Sequence, residues 1–261
     1  MNKYLVCALV AFKVAIACSD AQTVTLDTYF NHETHQTKDG IRRFHYLWTD
    51  DKDSGFSIWA GIFKANGFKL DTLGEAPTLK NLRNSNIYII VDPDTKKETK
   101  QPNYIESKAI DQIALWVKAG GILVMMANDS ANVELPHFNN LAAKFGLYFN
   151  NDLQNHVVDD KHFKDGEASA VDQTVFASNP KVFLKDVCSI SLNNKDAKAV
   201  ITSADGSAAI AAIVKYGKGT VFAVGDPWLY NEYVNGRLPA IYQNGVAAKD
   251  LTLWLKNQIK K

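Results

Sequence analysis

The sequence predicts an α/β domain with a mostly parallel sheet flanked by helices. Short apolar segments alternate with segments of helical periodicity, which is the pattern of parallel strands joined by crossover helices. Three of the apolar segments, residues 87–91, 121–126 and 220–224, are typical of strands buried on both faces. Each of them runs directly into polar residues, which is where an open α/β sheet binds its ligands.

Length and composition favour one globular domain. The chain has 261 residues, 46% of them hydrophobic and 22% charged, enough for one well-buried core. Its 29 basic and 28 acidic residues leave a net charge of +1. Nucleic acid and anionic membrane surfaces require a concentrated basic patch, so neither is an expected partner.

The first 21 residues predict an export signal rather than part of the fold. A basic start at Lys3 precedes an apolar run that is too short to span a bilayer. Two endings compete: cleavage after Ala21, or lipid attachment at Cys18, whose AIAC context resembles a lipoprotein box. Either ending predicts an exported, periplasmic protein in which residues 22–261 form a single α/β catalytic domain.

Metal and cofactor sites are not expected. Cys188 is the one cysteine certain to remain after export, so a metal site built on thiolates is excluded. His32 and His35 lack the i, i+4 spacing of a helical zinc pair. A divalent ion held by His32, Asp92 and Asp226 is the alternative that the residues leave open.

The remaining elements are predicted from hydrophobic periodicity and from the glycine and capping residues at their ends. Strands are expected at residues 23–26 and 68–70, and an inserted or edge β region between 147 and 207. A β-hairpin is expected at residues 208–215 and 220–224. The helices are predicted at residues 54–67 with Ser54 as the cap, 107–119, 136–145 and 249–259.

Four strands deliver polar side chains at the same end. These side chains are Asn31 and His32 after the first strand, Asp92 after the second, Asn128 and Asp129 after the third, and Asp226, Trp228, Tyr230 and Asn231 after the last. If the strands are parallel neighbours, these groups converge on one crevice. Any one cluster could instead make a turn or a helix cap, but four together favour a site.

The segment 42–51 concentrates cations, an imidazole, aromatic rings and carboxylates. It contains Arg42, Arg43, His45, Tyr46 and Trp48. Aromatic rings stack on the apolar faces of sugars, and arginine pairs with carboxylates through two parallel hydrogen bonds. The segment therefore indicates a site for a sugar acid, with a solvated loop around a core tryptophan as the alternative.

These motifs resemble a domain of the class-I glutamine amidotransferase-like superfamily. That domain has a flavodoxin-like three-layer fold and is often fused behind family 105 unsaturated uronyl hydrolases. The motifs are FNHE, FHYLW, YIIVDPDT, MAND and VGDPWLYNEY, at residues 30–33, 44–48, 88–95, 126–129 and 224–233. Amidotransferases carry a cysteine nucleophile after the third strand, where this chain has Asn128, Asp129 and Ser130. Glutamine hydrolysis by a thiol is therefore not expected.

An exported, stand-alone chain of this kind is similar to the oligosaccharide dehydratases of ulvan utilisation. The resemblance implies a carbon–oxygen lyase that removes water from the non-reducing-end uronic acid of an anionic oligosaccharide. The product is the 4,5-unsaturated sugar that an unsaturated uronyl hydrolase cleaves, so such a hydrolase is the expected pathway partner.

Dehydration needs a base, an acid and a group that holds the carboxylate. His45 is the leading proton-transfer residue, with Tyr46 or Tyr230 as its partner, and Arg42 or Arg43 is the expected carboxylate clamp. The full expected site comprises the catalytic residues His45, Tyr46, His32, Asp226 and Tyr230, and the substrate-binding residues Asn31, Arg42, Arg43, Trp48, Asp92, Asn128, Asp129, Trp228 and Asn231.

Two other functions remain open from the sequence. A non-catalytic carbohydrate-binding domain would show exposed aromatic rings without an acid–base pair, whereas a clustered, partly buried His–Asp or His–Tyr arrangement would favour an enzyme. An esterase using Ser54, Ser57 or Ser130 is less favoured, since none of these lies in a Gly-x-Ser-x-Gly elbow.

Overall fold

Nine strands form one mixed sheet in the computed structural model of the chain, which describes residues 21–129, 131–159 and 161–259. The order of the strands across the sheet, written by residue range, is Lys69–Leu73, Thr23–Asp27, Ile87–Val91, Ile122–Met126, Gly219–Val224, Ala209–Tyr216, Lys198–Ser203, Glu167–Ala170 and Lys181–Phe183. The predicted leader up to residue 20, including Cys18, lies outside the described residues, as does Ser130.

The strands of the large sheet are β1 (Thr23–Asp27), β4 (Lys69–Leu73), β5 (Ile87–Val91), β6 (Ile122–Met126), β8 (Glu167–Ala170), β9 (Lys181–Phe183), β11 (Lys198–Ser203), β12 (Ala209–Tyr216) and β13 (Gly219–Val224). Two further pairs lie apart from it: β2 (Thr34–Thr37) with β3 (Gly40–Arg43), and β7 (Leu147–Phe149) with β10 (Ile190–Leu192). The helices are α1 (Ser57–Ala65), α2 (Ser107–Ala119), α3 (Leu135–Ala143) and α4 (Asn244–Gln258).

Five neighbouring strands, β4, β1, β5, β6 and β13, run parallel. Their carboxyl ends therefore meet at one edge of the sheet, as the sequence predicts. The other half of the sheet is antiparallel, so the sheet is mixed rather than mostly parallel as predicted. This half contains the predicted hairpin, in which Tyr216 pairs with Gly219. The predicted edge region supplies β11, β8 and β9, which extend the sheet on that side.

Side chains alternate between two cores, one on each face of the sheet. Along β5, Ile87, Ile89 and Val91 join the core that contains α1 and α4, whereas Tyr88 and Ile90 join the core that contains α2 and α3. Successive residues of a strand point to opposite faces, so a strand that is apolar throughout must be covered on both. The molecule is therefore a three-layer α/β arrangement.

The first residues of two helices differ from the sequence prediction. In both helices, a residue distant in the chain forms hydrogen bonds with the first turn. α1 begins at Ser57 rather than Ser54, and its first turn is bound by Glu232, whose Oε1 accepts hydrogen bonds from Ser57 Oγ at 2.5 Å and from the Ile58 backbone N–H at 2.8 Å. α4 begins at Asn244, where the side-chain amide pairs with both backbone groups of Phe183 at 3.0 and 2.7 Å.

The segment between β1 and α1 is more ordered than predicted. The β2–β3 hairpin turns at Gly40, whose φ of +114° is a conformation that favours glycine. The hairpin returns the chain to the end of β1, and this return places residues 43–45 against residues 28–33.

Candidate functional site

The polar ends of β1, β5 and β6 meet around Asp92. The Asn31 side-chain amide donates to the Asp92 backbone carbonyl at 2.7 Å, and the Asn128 amide donates to the Asp92 carboxylate at 3.2 Å. Asp92 itself is only 4% exposed. Three strand ends that are distant in the sequence therefore share one hydrogen-bonded cluster.

His45 and Glu33 form a close pair at the rim of this cluster. The ring Nδ1 of His45 lies 2.7 Å from Glu33 Oε1, and the two side chains are 36% and 8% exposed. A hydrogen bond from Nδ1 to a carboxylate leaves the lone pair of a neutral ring on Nε2. The pair therefore presents a base of fixed orientation that solvent and ligands can reach.

Tyr46 lies beside two buried carboxyl groups, Asp92 and Asp226. Burial first, and then the charges of Asp92 and Asp226, hold the pKa of Tyr46 well above its usual value. Burial also raises the pKa of Asp92 well above the ordinary range, and the nearby charge of Glu98 adds to this, while Asn128 and Tyr46 act in the opposite direction. The Oδ1 atom of Asp92 is buried and accepts no hydrogen bond from the described residues.

Three residues of this cluster have a left-handed backbone. The φ angles are +64° at His45, +50° at Tyr46 and +45° at Asp92. Such conformations cost non-glycine residues about 1–3 kcal/mol each and concentrate at functional sites. Backbone hydrogen bonds stabilise two of them: the Tyr46 N–H donates to the Ser54 carbonyl at 3.2 Å, and the Asp92 N–H donates to the Met126 carbonyl at 2.9 Å.

His32 belongs to a second, more acidic part of the site. Its Nδ1 lies 3.2 Å from Asp94 Oδ2, which accepts hydrogen bonds from the His32 backbone N–H at 2.9 Å and from the Thr99 hydroxyl at 2.6 Å. Burial raises the pKa of Asp94 and of Glu98, which accepts hydrogen bonds from Thr95. This part of the site can hold protons that an ordinary exposed carboxylate would lose.

Arg42 and Arg43, which the sequence could not distinguish as the carboxylate clamp, have different contacts in the structure. Arg42 forms an exposed ion pair with Asp39 at 3.1 Å in the β2–β3 hairpin. Arg43 donates through Nη2 to the backbone carbonyls of Thr28 and Asn31, the latter at 2.9 Å. Its side chain is thereby anchored beside the site, and Nε and Nη1 make no hydrogen bond with the described residues.

Two predicted site residues lie in the core instead. Trp48 is 8% exposed, donates from its indole to the Asp71 carbonyl at 2.9 Å, and packs against Phe63, so it presents no free face to a sugar. Tyr230 is 3% exposed and stacks on Trp59 with ring centroids 4.6 Å apart. The expected stacking role of Trp48 and the expected proton-transfer role of Tyr230 do not fit these positions.

The side chains of Asp129 and Asn231 form hydrogen bonds with residues two or three positions further along the chain. Asp129 accepts from the Ala131 N–H and the Asn132 amide at 2.8 and 2.7 Å, and Asn231 accepts from the Tyr233 N–H at 3.2 Å. Both therefore fit the turn and cap alternative better than substrate binding. The side chain of Trp228 lies outside the described part of the structure.

Sequence reasoning did not assign roles to Glu33, Asp94 and Glu98. Glu33 stands next to His32 in the FNHE motif, and Asp94 stands two residues after Asp92 in the YIIVDPDT motif, so both lie within motifs that the sequence marks. Glu98 lies in a lysine-rich loop whose composition is typical of a solvated loop. Nothing in the sequence distinguishes Glu98 from an ordinary exposed glutamate.

Three alternative chemistries would use a metal ion, the Cys188 thiol or the Ser57 hydroxyl. No three His, Cys, Asp or Glu side chains within the described ranges are placed to share a metal ion. Cys188, the cysteine of that part of the chain, is buried, and burial raises the pKa of its thiol well above the usual value. The Ser57 hydroxyl donates to Glu232 rather than to a histidine.

Comparison with known proteins identifies the fold alone. No protein-family model matches the sequence, and no curated protein matches it either. The structure is similar to the mmIFT52 N-terminal domain, with a TM-score of 0.66, 15% identity, and 90% of this chain and 97% of that chain covered. It is also similar to the cytoplasmic protein STM3548 of Salmonella typhimurium, with a TM-score of 0.56, 14% identity, and 92% and 100% covered. A third structure, cytoplasmic protein STM1381 of Salmonella typhimurium LT2, has a TM-score of 0.55, 12% identity, and 92% and 100% covered.

Within the described residues, no helix combines the length and the apolar character needed to cross a bilayer.

Proposed function

We propose that this protein is a carbon–oxygen lyase that dehydrates the non-reducing-end uronic acid of an anionic, ulvan-type oligosaccharide. The observation that carries the proposal is the His45–Glu33 pair, 2.7 Å apart, placed next to Tyr46 and Asp92 on a strained backbone. An oriented base adjacent to a separate group of acids is the arrangement that an elimination of water requires.

His45 is the proposed base. The exposed side of its ring takes the C5 proton at Nε2, while Glu33 holds Nδ1 and stabilises the imidazolium that forms. The electron pair of the C5–H bond becomes the C4–C5 double bond as the C4–O bond breaks. A positioned base of this kind contributes about 10² to 10⁴ in rate.

Tyr46 is the proposed acid, with Asp92 behind it. The Tyr46 hydroxyl gives its proton to the departing 4-hydroxyl, which leaves as water, and Asp92 supplies the replacement proton. Burial raises the pKa of Asp92, so this carboxyl keeps a proton to a higher pH than an exposed aspartate would. A protonated Asp92 also reduces the repulsion that an anionic substrate would otherwise meet.

Arg43 is the proposed carboxylate clamp. Two backbone carbonyls fix its Nη2, and Nε and Nη1 remain to form a two-point contact with the uronate carboxylate. Negative charge moves onto that carboxylate as the C5 proton leaves, so the contact strengthens in the transition state. Loss of one such donor typically costs about 10² to 10³ in rate.

We also propose a specific fold family and a cellular location for the protein. A class-I glutamine amidotransferase-like domain is supported by the parallel strands that deliver polar residues at their carboxyl ends, and by the motifs quoted above. We infer a periplasmic protein whose product passes to an unsaturated uronyl hydrolase.

The decisive experiment mixes the protein with oligosaccharides that carry a saturated glucuronate or iduronate at the non-reducing end. A dehydratase produces an absorbance from the conjugated enol-ether carboxylate and a mass loss of one water per chain. His45→Gln should slow the appearance of both signals by about 10² to 10⁴ while leaving substrate binding by calorimetry intact. Binding by the unsubstituted protein without any dehydrated product would reject the lyase and identify a carbohydrate-binding domain.

A further inference from the structure

Three ring side chains form a row along the β2–β3 hairpin and the residues that follow it. The ring centroids of His35 and Phe44 lie 4.7 Å apart, and those of Phe44 and His45 lie 3.9 Å apart. His35 is exposed, and Phe44 and His45 are half-buried. This ring row, defined as His35, Phe44 and His45, therefore leads from the exposed hairpin to the proposed base.

The register of the hairpin explains why the first two rings meet. His35 pairs with Arg42, and the side chains of paired residues lie on the same face. Phe44 follows Arg42 by two residues, which is one full repeat of a strand, and its N–H donates to the Glu33 carbonyl at 3.4 Å. His35 and Phe44 are therefore diagonal neighbours on one face, a separation that aromatic side chains can bridge.

The ring row is not part of the hydrophobic interior. Phe44 belongs to neither of the two cores that the described residues form. Single exposed apolar side chains are common and need no explanation. This one, however, adjoins the proposed base, where a substrate must pass, so its exposed surface lies within reach of a bound ligand.

The other aromatic neighbour of His45 lies in a closed part of the site. Tyr46, whose ring centroid is 5.9 Å from that of His45, is 7% exposed, and the nearby Asp92 and Asp226 are 4% and 1% exposed. A non-reducing-end uronate is linked to the rest of its oligosaccharide through C1 alone, so the remaining sugars leave the site in one direction. Because the side at Tyr46 is buried, the exposed ring row is the path open to them.

We infer that the ring row is a second sugar subsite, which binds the sugar linked to the uronate. The apolar C–H face of a pyranose packs on aromatic rings, and its burial needs no charged partner. The inference rests on the proposed function, which places the uronate itself at His45 and Arg43. Phe44, at the centre of the row, supplies the main contact, and His35 extends the row away from the uronate.

Two substrates separate this subsite from the uronate site. Methyl glucuronide carries the uronate alone, whereas a disaccharide with glucuronate at its non-reducing end also carries the second sugar. The unsubstituted protein should dehydrate the disaccharide with the higher kcat/KM. Phe44→Leu removes the ring but keeps an apolar side chain, and it should lower kcat/KM for the disaccharide about three- to tenfold. Its kcat/KM for methyl glucuronide should change less than twofold.

Two further variants serve as controls. Phe44→Tyr keeps a ring at the centre of the row and should restore the preference for the disaccharide. Ile41→Ala is the matched control, since Ile41 is an apolar residue of the same hairpin and is 72% exposed. It pairs with Gln36 and so lies on the face opposite the ring row. Ile41→Ala should leave kcat/KM for both substrates unchanged.

Equal losses on both substrates in Phe44→Leu would show that Phe44 only holds His45 in place, and would overturn the inference. Equal kcat/KM of the unsubstituted protein for the two substrates would also overturn it. If neither substrate is dehydrated, the proposed lyase fails, and calorimetry with the same two ligands tests the subsite separately. Tighter binding of the disaccharide that Phe44→Leu removes would then support the subsite, and equal binding of the two ligands would overturn it.

Discussion

At the scale of single residues, the site depends on pairs that hold each other in place. The Glu33 side chain is buried and lies against a histidine ring that solvent can reach. The value of such a pair lies in orientation, because the bond at Nδ1 fixes which ring nitrogen faces the substrate.

Replacing Glu33 by Gln should lower kcat about 10- to 100-fold with little change in KM. The amide still fills the space but no longer stabilises an imidazolium ion. His45→Gln should cost about 10² to 10⁴ in kcat. In the double variant, steady-state kinetics should give a loss no larger than that of His45→Gln alone, since the two residues act as one unit. Additive losses would show that Glu33 does not act through His45.

Arg43 and Arg42 offer a matched pair of substitutions. Arg43→Gln should lower kcat/KM for a uronate-ended oligosaccharide about 10² to 10³-fold, because the substrate carboxylate loses its fixed partner. Arg42→Gln should change kcat/KM less than twofold, since Arg42 is paired with Asp39 in an exposed hairpin. Equal effects of the two substitutions would contradict the assignment of the clamp.

At the scale of elements, the segment after β13 is attached to the start of α1. Glu232 accepts from Ser57 and Ile58, and its own N–H donates to the Gly55 carbonyl at 2.9 Å. A carboxylate at a helix N-terminus satisfies free N–H groups and interacts favourably with the helix dipole. Gly225, at the start of this segment, packs directly against the Cys188 backbone, since an added Cβ would lie 1.9 Å from the Cys188 carbonyl oxygen.

Glu232→Ala should lower the free energy of unfolding by about 1–3 kcal/mol, because the first turn of α1 loses its buried acceptor. Denaturant unfolding followed by circular dichroism measures the change.

The control for this substitution is Glu106→Ala. Glu106 occupies the cap position of α2 but makes no side-chain capping bond there, so its loss should change stability by less than about 0.5 kcal/mol. A loss at Glu106 as large as that at Glu232 would show that the effect is not specific to the contact with α1.

At the scale of the whole molecule, burial of a carboxyl group links stability to pH. Asp27 is 3% exposed, receives a hydrogen bond from the Tyr88 hydroxyl and accepts from the Phe30 N–H at 2.7 Å. Burial raises its pKa from 3.8 to about 7. The folded state thus holds a proton that the unfolded state releases at lower pH.

Stability should therefore decrease as the pH rises from about 4 to about 7, over the interval between the two pKa values. Each pKa unit corresponds to about 1.4 kcal/mol, so the interval from 3.8 to about 7 corresponds to a cost of about 4 kcal/mol at pH 8. Asp27→Asn removes this titration. The difference in melting temperature between Asp27→Asn and the unsubstituted protein should shift in favour of the variant from pH 5 to pH 8. A difference that does not vary with pH would contradict the raised pKa.

Much of the fold could be predicted because its signals are local. The strand at residues 87–91 and the helix at residues 107–119 match the structure at both ends, since apolar runs and helical periodicity are properties of a few adjacent residues. The β2–β3 hairpin was missed, because its strands are exposed and polar and have no such pattern.

The candidate site was predicted in part. Polar residues after parallel strands do converge, so Asn31, Asp92 and Asn128 share one cluster. Trp48 was expected to stack on a sugar, yet it fills the core under α1, because an aromatic ring in a loop gives no indication of which side it faces. The same ambiguity affected Arg42 and Arg43, which are adjacent in the sequence but lie in different surroundings.

The sequence by itself determined the alternation of elements, the parallel half of the sheet, and the edge at which polar residues collect. Hydrophobic burial and strand direction fix these properties, and both are encoded within short stretches of the chain. Only the tertiary structure decided which side chains pair: Glu33 with His45, Asn31 with Asp92, and Glu232 with α1 across 175 residues. Such pairs depend on the distances between atoms brought together by packing of the whole chain, and no local pattern specifies those distances.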